Sequence, residues 1–456
     1  MNVAIIGGGF TGLTAAYELT KYGHQVTIFE KDPFLGGLAH GFKEPNWDWH
    51  LEKAYHHLFT NDTAIIGLMK KLGLEKKLLT IRPVTATLWR ERMYQLDSPL
   101  SLLRFPGLPM MDKVRTGVLL AAMKLNPFWQ PLEYITARKL FETIGGKRSW
   151  QTIWEPLMKG KFGPYADTVA ASWFWARIKK RTPSLCYIEG GFQTLVNTLE
   201  KAIEKQGGKI LTNTAVTNVQ LVRSSIPSSS SPRRRGSNSL DIDSRFRGND
   251  TFDLSFIIYH LSFDKVLLTV PTPFIKKLAP MISNAYFQGP ATIPHLHAHV
   301  LILETKEPIL KDVYWLNVTD RTYPFLIVGA HTNFVDKKHY GGNHITYFGN
   351  YLPEGHPYLS MTKDQILTIY KPFIQRLNPS CQLSAVSCQL FIGHHAQPVH
   401  QLHYSQKAPK LDPLAVGPIN GLFIANMDSI YPWDRGTNYA VELGTKAAKS
   451  ILSSQA

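Results

Sequence analysis

Cysteine is scarce in this sequence of 456 residues, which contains only three: Cys186, Cys381 and Cys388. No two of them form a C-x-x-C pair, so the sequence argues against a zinc ribbon or a dithiol redox centre. Three cysteines are also too few for a disulfide scaffold, and they are compatible with a reducing cytosol.

Long apolar runs are absent as well. No stretch approaches the roughly 18 apolar residues that a membrane span requires. The sequence enters its first apolar segment at Val3 without a charged-then-apolar leader, so we expect no secretion signal and a cytoplasmic location. With 456 residues, 44% of them hydrophobic, the chain is long enough for two or three compact units with a sizeable core.

Acidic residues are few relative to basic ones: 34 Asp and Glu against 50 Lys and Arg give a formal charge of +16. Residues 90–181 alone carry 16 Lys and Arg against 7 Asp and Glu, a net +9. Such a balance first suggests nucleic acid, but no recognition motif accompanies it. We therefore expect no nucleic-acid partner and favour peripheral contact with an anionic membrane surface, or an anionic substrate. A well-solvated basic face is the alternative.

The most informative pattern lies at the N-terminus, where residues 2–30 read NVAIIGGGFTGLTAAYELTKYGHQVTIFE. The apolar run at residues 3–6 is typical of a strand buried on both faces of a parallel sheet. After the glycine-rich turn, apolar residues recur at helical spacing as far as a stop at Gly23. A second apolar strand, residues 25–29, follows. This is a strand-helix-strand unit around a G-x-G-x-x-G turn.

The residue types in this unit fit the binding of a dinucleotide. Gly7 permits the tight turn, Gly9 lets a pyrophosphate approach the backbone, and Gly12 lets the helix pack closely on the strand. The N-terminus of the helix offers free N–H groups and the positive end of its dipole to the phosphates. Glu30, about 20 residues further on, can accept hydrogen bonds from both ribose hydroxyls. A merely structural glycine turn is the alternative.

The wider pattern indicates which dinucleotide is bound. Residues 12–16 (GLTAA), 26–31 (VTIFEK) and 35–37 (LGG) resemble the N-terminal signature of the flavin-containing amine oxidase superfamily. That superfamily includes protoporphyrinogen oxidases, phytoene desaturases and, more distantly, UDP-galactopyranose mutases. The resemblance implies that the cofactor is FAD and that the second Gly-Gly passes close to it. Taken alone, this second Gly-Gly could also be an ordinary turn.

Two later blocks resemble the same superfamily. Residues 187–192 (YIEGGF) look like its second shared block, after which the backbone at Val216 would meet the adenine. Residues 421–448 look like its last flavin-binding block, in which the N-terminus of a helix points at the flavin pyrimidine. Here that helix would start near Thr437 and Asn438.

The last block departs from the family pattern at one place. Family members commonly have Gly-Asp after the strand, whereas this chain has Asn426-Met427-Asp428, so the carboxylate contact is either shifted to Asp428 or absent. The resemblance implies that the cofactor-binding residues are Gly7, Gly9, Thr11, Gly12, Glu30, Lys31, Gly36, Gly37, Leu38, Val216, Asp428, Thr437 and Asn438.

The order of segments predicts an α/β fold with an inserted cap. A Rossmann-like FAD-binding domain of glutathione-reductase-type topology is expected in three pieces: residues 1–63, 185–273 and 412–456. Residues 64–184 are expected to form a helical cap. Residues 274–411 alternate in polarity, which predicts a mainly antiparallel substrate-domain sheet.

Several shorter segments carry specific expectations. Helices are predicted at residues 64–74 and 111–125; the second is apolar with basic residues, as in a core helix or a helix at a membrane interface. Residues 209–211 and 215–219 are predicted strands. Residues 223–250 are rich in serine and arginine and poor in apolar residues, which predicts a disordered insert without catalytic function.

Candidate catalytic residues come from three stretches. The resembling flavoproteins often carry a histidine shortly after the Gly-Gly, so His56 or His57 is expected to bind the flavin or to act as an acid or base; a structural histidine is the alternative. Because adjacent histidines in a strand point to opposite faces, His56 and His57 are poorly placed to bind one metal ion together, and we predict no metal site. Arg177, among aromatic residues, is either a receptor for an anionic group or a salt-bridged scaffold residue. Trp433 is expected to complete the pocket.

These observations predict an FAD-dependent oxidoreductase. It would remove hydride from an apolar or cyclic organic substrate and pass electrons to oxygen or a quinone. With a single G-x-G-x-x-G, a second site for NAD(P)H is unsupported. A nucleotide-sugar enzyme resembling UDP-galactopyranose mutase is the second expectation, and a non-enzymatic scaffold stabilised by FAD is the third. The sequence does not indicate an oligomeric state.

Overall fold

The computed structural model of the chain describes residues 1–225, 252–379, 385–411, 421–434 and 436–454. The disorder predicted for residues 223–250 falls almost entirely outside these ranges, as do Cys381 and Arg435.

The strands and helices are numbered in chain order. The strands are β1 (Asn2–Ile6), β2 (Gln25–Phe29), β3 (Gly41–Phe42), β4 (Leu51–Glu52), β5 (Leu58–Phe59), β6 (Leu78–Ile81), β7 (Thr85–Trp89), β8 (Arg92–Gln95), β9 (Leu185–Ile188), β10 (Lys209–Leu211), β11 (Gln220–Ser225), β12 (Phe252–Ile258), β13 (Leu261–Phe263), β14 (Lys265–Leu268), β15 (His295–Thr305), β16 (Trp315–Val318), β17 (Ile327–Ala330), β18 (His344–Leu352), β19 (Ala385–Pro398) and β20 (Leu422–Ile424). The helices are α1 (Phe10–Lys21), α2 (Thr63–Lys71), α3 (Pro99–Arg104), α4 (Met110–Leu125), α5 (Ala137–Leu140), α6 (Lys147–Ser149), α7 (Glu155–Phe162), α8 (Ala171–Lys180), α9 (Gln193–Lys205), α10 (Thr272–Leu278), α11 (Asn284–Phe287), α12 (Lys363–Leu377), α13 (Tyr404–Lys407) and α14 (Thr437–Ser453).

Five parallel strands form the centre of the cofactor domain, in the order β10-β2-β1-β14-β20. Val3 pairs with Val26 on one side and with Lys265 on the other, so β1 occupies the middle of the sheet. Residues 3–6 are buried, as their continuous apolar run predicts. The predicted Rossmann-like α/β domain is confirmed.

Seven strands form a second sheet, in the order β19-β15-β18-β17-β16-β7-β8. Its neighbouring strands are antiparallel except for β7 and β16. The predicted mainly antiparallel sheet is confirmed. Residues 78–95, however, contain β6, β7 and β8, so the prediction of helix there is wrong. The turn between β7 and β8 places Arg90 and Glu91 at positive φ (50° and 61°), which favours a tight hairpin.

Helices α3 to α8 form the cap, over residues 99–180. Its core is aromatic: Phe141, Trp150, Phe162 and Trp173 are each at most 3% exposed. The helices predicted at residues 64–74 and 111–125 are observed as α2 and α4. No helix in the described ranges has both the length and the apolar character needed to cross a membrane.

The packing of α1 on α14 requires a glycine. A Cβ built on Gly444 lies 2.5 Å from the backbone oxygen of Thr11 and 2.9 Å from the Cβ of Thr14. The two helix backbones are therefore closer here than any side chain at this position permits. Gly117, in α4, is the opposite case, because a Cβ built there has no atom within 4 Å.

These two helical glycines give a matched pair of substitutions. We expect Gly444→Ala to destabilise the protein by about 1–3 kcal/mol, because the methyl group forces α1 and α14 apart. Gly117→Ala should be neutral or stabilising by up to about 1 kcal/mol, because alanine is the better helix former. Thermal unfolding of both variants checks this, and equal transition temperatures would contradict the close-packing explanation.

Candidate flavin-binding and active site

The first glycine turn connects β1 to α1. Gly7 has a φ of +113°, a conformation that side chains rarely adopt, and a Cβ on Gly12 would lie 2.1 Å from the Gly7 oxygen. Gly9 precedes α1 in extended conformation and provides no side-chain cap. The first N–H groups of α1, including that of Thr11, thus have no side-chain hydrogen-bond acceptor at the N-cap residue.

The second glycine turn packs directly against the first. The Gly36 N–H donates to the Gly8 oxygen at 2.9 Å. A Cβ built on Gly9 has only the Cα of Gly37 within reach, at 4.0 Å. Leu38, which follows, is 40% exposed. The space beside Gly9 is therefore bounded by backbone and not by side chains.

Glu30 lies at the carboxyl end of β2, beside the first turn. Its carboxylate accepts hydrogen bonds from the backbone N–H groups of Gly8 (2.7 Å) and Asp32 (3.0 Å). Lys31 is exposed, with its Nζ 3.9 Å from the Asp32 carboxylate. The ribose contact of Glu30 stays a prediction, but the carboxylate lies at the edge of the sheet where that contact requires it.

The chain after β10 crosses this edge. The Thr214 N–H donates to the Glu30 carbonyl oxygen at 2.8 Å, and Val216 is half-buried two residues further on. The strand predicted at residues 215–219 is wrong: the hydroxyl of Tyr259 binds the Ala215 carbonyl, so a side chain takes the acceptor that a strand would use. The adenine contact of Val216 stays a prediction.

The C-terminal block supplies a second helix N-terminus. Helix α14 begins at Thr437, as predicted, after Gly436, which provides no side-chain cap. The Oδ1 of Asn438 accepts hydrogen bonds from the N–H groups of Ala64 (3.0 Å) and Ile65 (3.2 Å), in the first turn of α2. The side-chain oxygen of Asn438 therefore fixes α2 to α14. The predicted flavin contact would then use the side-chain nitrogen Nδ2 or the backbone N–H of this residue.

Asp428 already has a partner within the protein. It is buried, and its two carboxylate oxygens lie 2.9 and 3.0 Å from the Nε2 of His295 on β15. The carboxylate thus joins the C-terminal block to the antiparallel sheet. The expectation that the family's carboxylate contact with the cofactor is either made by Asp428 or absent stays a prediction.

These features together fit a dinucleotide cofactor. The space next to Gly9 has no side chain in it, the N-termini of α1 and α14 lack side-chain caps, and Glu30 borders the first turn. Phosphates are stabilised by helix N-termini and by close backbone N–H groups. The residues that would hold FAD are those of the two glycine turns, Glu30 and the start of α14.

Comparison with known proteins decides the family. The family model of the flavin-containing amine oxidoreductases matches residues 10–452. The chain belongs to this family. Its cofactor is therefore a flavin, and the flavin dinucleotide FAD fits the site.

Similar sequences include a desaturase and an oxidase. The chain is 32% identical over 183 residues to a zeta-carotene desaturase of Zea mays, covering 34% of this chain and 31% of that protein. It is 36% identical over 74 residues to an L-amino-acid oxidase of Sistrurus catenatus edwardsii, covering 16% and 14% of the two chains. Each alignment thus spans less than a third of the relative's length.

Similar solved structures extend over the whole chain. A candidate protoporphyrinogen oxidase of Exiguobacterium sp. 255-15 has a TM-score of 0.73 at 16% identity, covering 99% of this chain and 98% of that one. Reduced UDP-galactopyranose mutase has a TM-score of 0.68 at 15% identity, covering 99% and 94%. At these identities the likeness shows the fold alone.

The cap is fastened to the C-terminal block at Asp434. Its carboxylate lies 3.3 Å from the Nζ of Lys161 and 2.6 Å from the guanidinium of Arg177. It also accepts hydrogen bonds from the indole N–H of Trp173 (3.1 Å) and from Gln397 (3.2 Å). Burial alone would raise the pKa of Asp434, but the two cations hold it well below its usual range. Arg177 is thus salt-bridged, which favours the scaffold interpretation.

The two candidate histidines have different surroundings. The Nδ1 of His56 is 2.7 Å from the Ala54 carbonyl oxygen, and its ring faces Phe192. The Nδ1 of His57 is 3.0 Å from the Tyr314 hydroxyl. Burial, with the nearby positive charges of Arg181 and Arg177, lowers the pKa of His57 to about 3. His57 is therefore neutral at pH 7 and suited to hydrogen bonding, not to donating a proton as a cation.

Trp433 lies between the two hydrophobic cores. Tyr55, Trp315 and Trp433 are partly buried and pack against both the core of the cofactor domain and the core of the cap. We term these three residues the aromatic junction. Trp433 stacks on Trp175 of α8 (5.3 Å between centroids), and the His57 ring lies 6.0 Å from that of Trp315. His57 thus contacts the junction at Trp315, and Trp433 contacts α8, the helix that carries Arg177.

One buried acid was missed from the sequence. Glu52, on β4, is completely buried; it accepts hydrogen bonds from the Tyr187 hydroxyl (2.8 Å) and the Phe192 N–H (2.7 Å). Burial raises its pKa to about 7, although both hydrogen bonds oppose that shift. Glu52 thereby joins the segment before His56 to β9 and the start of α9. No local pattern indicates this contact, because its partners lie 135 and 140 residues away.

The first prediction from this site concerns the cofactor. Gly9→Val should abolish flavin binding while the apoprotein still folds, because the new side chain contacts almost nothing in the protein but fills the space of the phosphates. Glu30→Ala should weaken binding less severely. Flavin absorbance after purification and after addition of FAD measures both effects. Wild-type protein that never takes up FAD would refute the site.

The second prediction concerns Glu52 and pH. Its pKa rises from 4.5 to about 7 on folding, so the folded state retains a proton that the unfolded state releases in this window. Stability should therefore fall as pH rises from about 4.5 to 7, by on the order of 3 kcal/mol for this group, and not change further above it. The side chain in Glu52→Gln cannot titrate, so this variant should not show this part of the decrease in stability. Thermal unfolding at pH 5 and pH 8 measures it; parallel pH profiles for the variant and the wild type would exclude it.

Proposed function

We propose that this flavin-dependent protein removes hydride from an apolar or cyclic organic substrate, with oxygen or a quinone as the electron acceptor. The aromatic junction is the observation that carries the proposal. Tyr55, Trp315 and Trp433 are contributed by three distant parts of the chain, remain only partly buried, and lie where the cofactor domain meets the cap. Aromatic faces of this kind suit a flat or polyene substrate.

The residues of the chain supply orientation and electrostatics. When bound, the flavin provides the redox chemistry as an acceptor of hydride. Helix α14 presents its uncapped N-terminus and so favours negative charge nearby. Neutral His57 offers a hydrogen bond beside Trp315, and Trp433 and Tyr439 form a stacked pair with 5.6 Å between their ring centroids. The sequence similarity to zeta-carotene desaturase supports removal of hydride from such a substrate.

A nucleotide-sugar enzyme is the second candidate, favoured by the fold likeness to UDP-galactopyranose mutase. Such a substrate carries a pyrophosphate, which requires cations that are free to bind it. Lys161 and Arg177, which both lie over the ring of Trp173 in the cap, share the carboxylate of Asp434. That pairing reduces the charge available for phosphate and makes this candidate the weaker one.

Anaerobic flavin reduction distinguishes the two candidates. In one assay, oxidised flavin-loaded protein is mixed without oxygen with polyenes, reduced tetrapyrroles and amines. In a second assay, the flavin is first reduced chemically, and the reduced protein is then mixed with UDP-galactopyranose. We expect an apolar polyene or cyclic compound to bleach the oxidised flavin. Turnover of the sugar nucleotide by the reduced protein, with no bleaching by any organic compound, would refute the proposal.

Substitution tests the aromatic junction itself. Trp315→Ala should slow flavin reduction by about tenfold to a hundredfold, because the substrate is held less accurately. Trp89→Ala is the matched control: Trp89 packs on Tyr94 and Phe105 at the edge of the cap, away from the junction. Equal rates in the two variants, at equal flavin content, would remove the junction from the mechanism.

A further inference from the structure

The outer surface of the cap exposes an unusual number of apolar side chains. Seventeen large apolar side chains are exposed among the described residues, and ten of them lie between positions 100 and 144, a tenth of the chain. Single exposed apolar residues are ordinary on a protein surface, whereas a concentration of them marks an interaction site.

Helix α4 shows that these side chains share one face. Its buried residues, Thr116, Leu119 and Met123, recur at helical spacing and face the cap. At about 100° per residue, Val114, Val118 and Leu125 fall on the opposite side of the helix. They are 50%, 61% and 79% exposed. Helix α4 thus has apolar side chains on its protein face and on its solvent face.

Neighbouring segments extend this surface. The Nζ of Lys113 donates to the Leu103 carbonyl oxygen at 2.7 Å, which joins α3 to α4. Arg115 donates to the carbonyl oxygens of Thr143 (2.8 Å) and Ile144 (2.9 Å) on the other side of α4. Leu103 and Ile144 are themselves 46% and 47% exposed. We term the surface formed by Leu103, Met111, Val114, Val118, Leu125 and Ile144 the outer cap face.

The charges around the outer cap face are mainly basic. Residues 99–149 contain eight Lys and Arg against three Asp and Glu. Of these acids, Glu133 is buried against Ser405, and Glu142 is paired with Arg138. In the described part of the chain, no ion pair involves Arg104, Lys147 or Arg148, which are exposed. An apolar surface with a cationic rim results.

We propose that the outer cap face docks the protein on an anionic lipid bilayer, with α4 lying in the plane of the interface. Apolar side chains then enter the boundary between headgroups and acyl chains, and the basic rim contacts anionic headgroups. The same charge argues against a second copy of the chain, because two such faces in contact would bring their cationic rims together. The proposal is independent of the redox reaction.

Vesicle binding tests the proposal with full-length, flavin-loaded protein. We expect cosedimentation with vesicles of phosphatidylcholine and phosphatidylglycerol, much weaker binding to phosphatidylcholine alone, and a decrease with salt. Val114→Glu with Val118→Glu should reduce binding at least tenfold, and Lys147→Glu with Arg148→Glu should reduce it selectively for anionic vesicles. Val386→Glu, at an apolar side chain that is 47% exposed on β19, is the matched control and should bind as the wild type does.

Three outcomes would overturn the proposal. The first is no binding of the wild type to any vesicle, and the second is binding by the Val114→Glu and Val118→Glu variant equal to that of the wild type. The third is a molar mass, measured by light scattering, that differs between this variant and the wild type while their vesicle binding is the same, which would assign the face to a second copy. Val114→Ser with Val118→Ser repeats the test if the glutamate variant does not fold, with flavin content as the check.

Discussion

The contact between the two glycine turns determines much of the remaining structure. The Gly36 N–H binds the Gly8 oxygen, and a Cβ on Gly37 would lie 3.3 Å from the Cα of Gly9. A side chain at either turn would fill the space that a dinucleotide requires. Because the second turn is held against the first, the chain that follows leaves the parallel sheet in a fixed direction.

Asp434 has a comparable role between the cap and the C-terminal block. Its partners come from α7, α8 and β19, so one carboxylate connects three units. Lys161, 10% exposed, is less screened by solvent than Arg177, 38% exposed, although the burial of Lys161 also carries a larger desolvation cost. The partial exposure of Arg177 does not make it a free anion receptor, since its guanidinium already contacts the carboxylate. This pairing supports the proposal of an apolar substrate over a phosphorylated one.

Local patterns predicted the elements whose physical cause is local. The apolar run before Gly7 and the spacing of the three glycines were evident in the sequence, whereas the start of α14 at Thr437 was implied by the resemblance of the C-terminal block to the flavin-containing amine oxidase superfamily. The β7-β8 hairpin was not, because its turn uses Arg90 and Glu91 at positive φ in place of the usual glycine or asparagine.

Contacts between residues that are distant in the sequence could not be predicted either. Strand β7 pairs with β16 about 230 residues further on, Glu52 binds Tyr187, and Asp428 binds His295. The type of a residue limits the partners that it can have. The spacing of residues within one segment, however, does not indicate which distant residue becomes the partner. The fold class and the cofactor turns could therefore be predicted, whereas the polar contacts that fix the candidate active site could not.

The cap relates its outer surface to the aromatic junction. The indole N–H of Trp175 donates to the Asn126 carbonyl at the end of α4 (2.9 Å), while the Trp175 ring stacks on Trp433. The end of α4 is thus linked through Trp175 of α8 to the junction, and packed helix axes lie about 8–10 Å apart. If the outer cap face lies in a bilayer, the candidate substrate site lies close to the compounds dissolved in that bilayer. A nucleotide sugar is dissolved in water and gains nothing from that proximity, so docking on lipid would itself favour hydride removal from an apolar substrate.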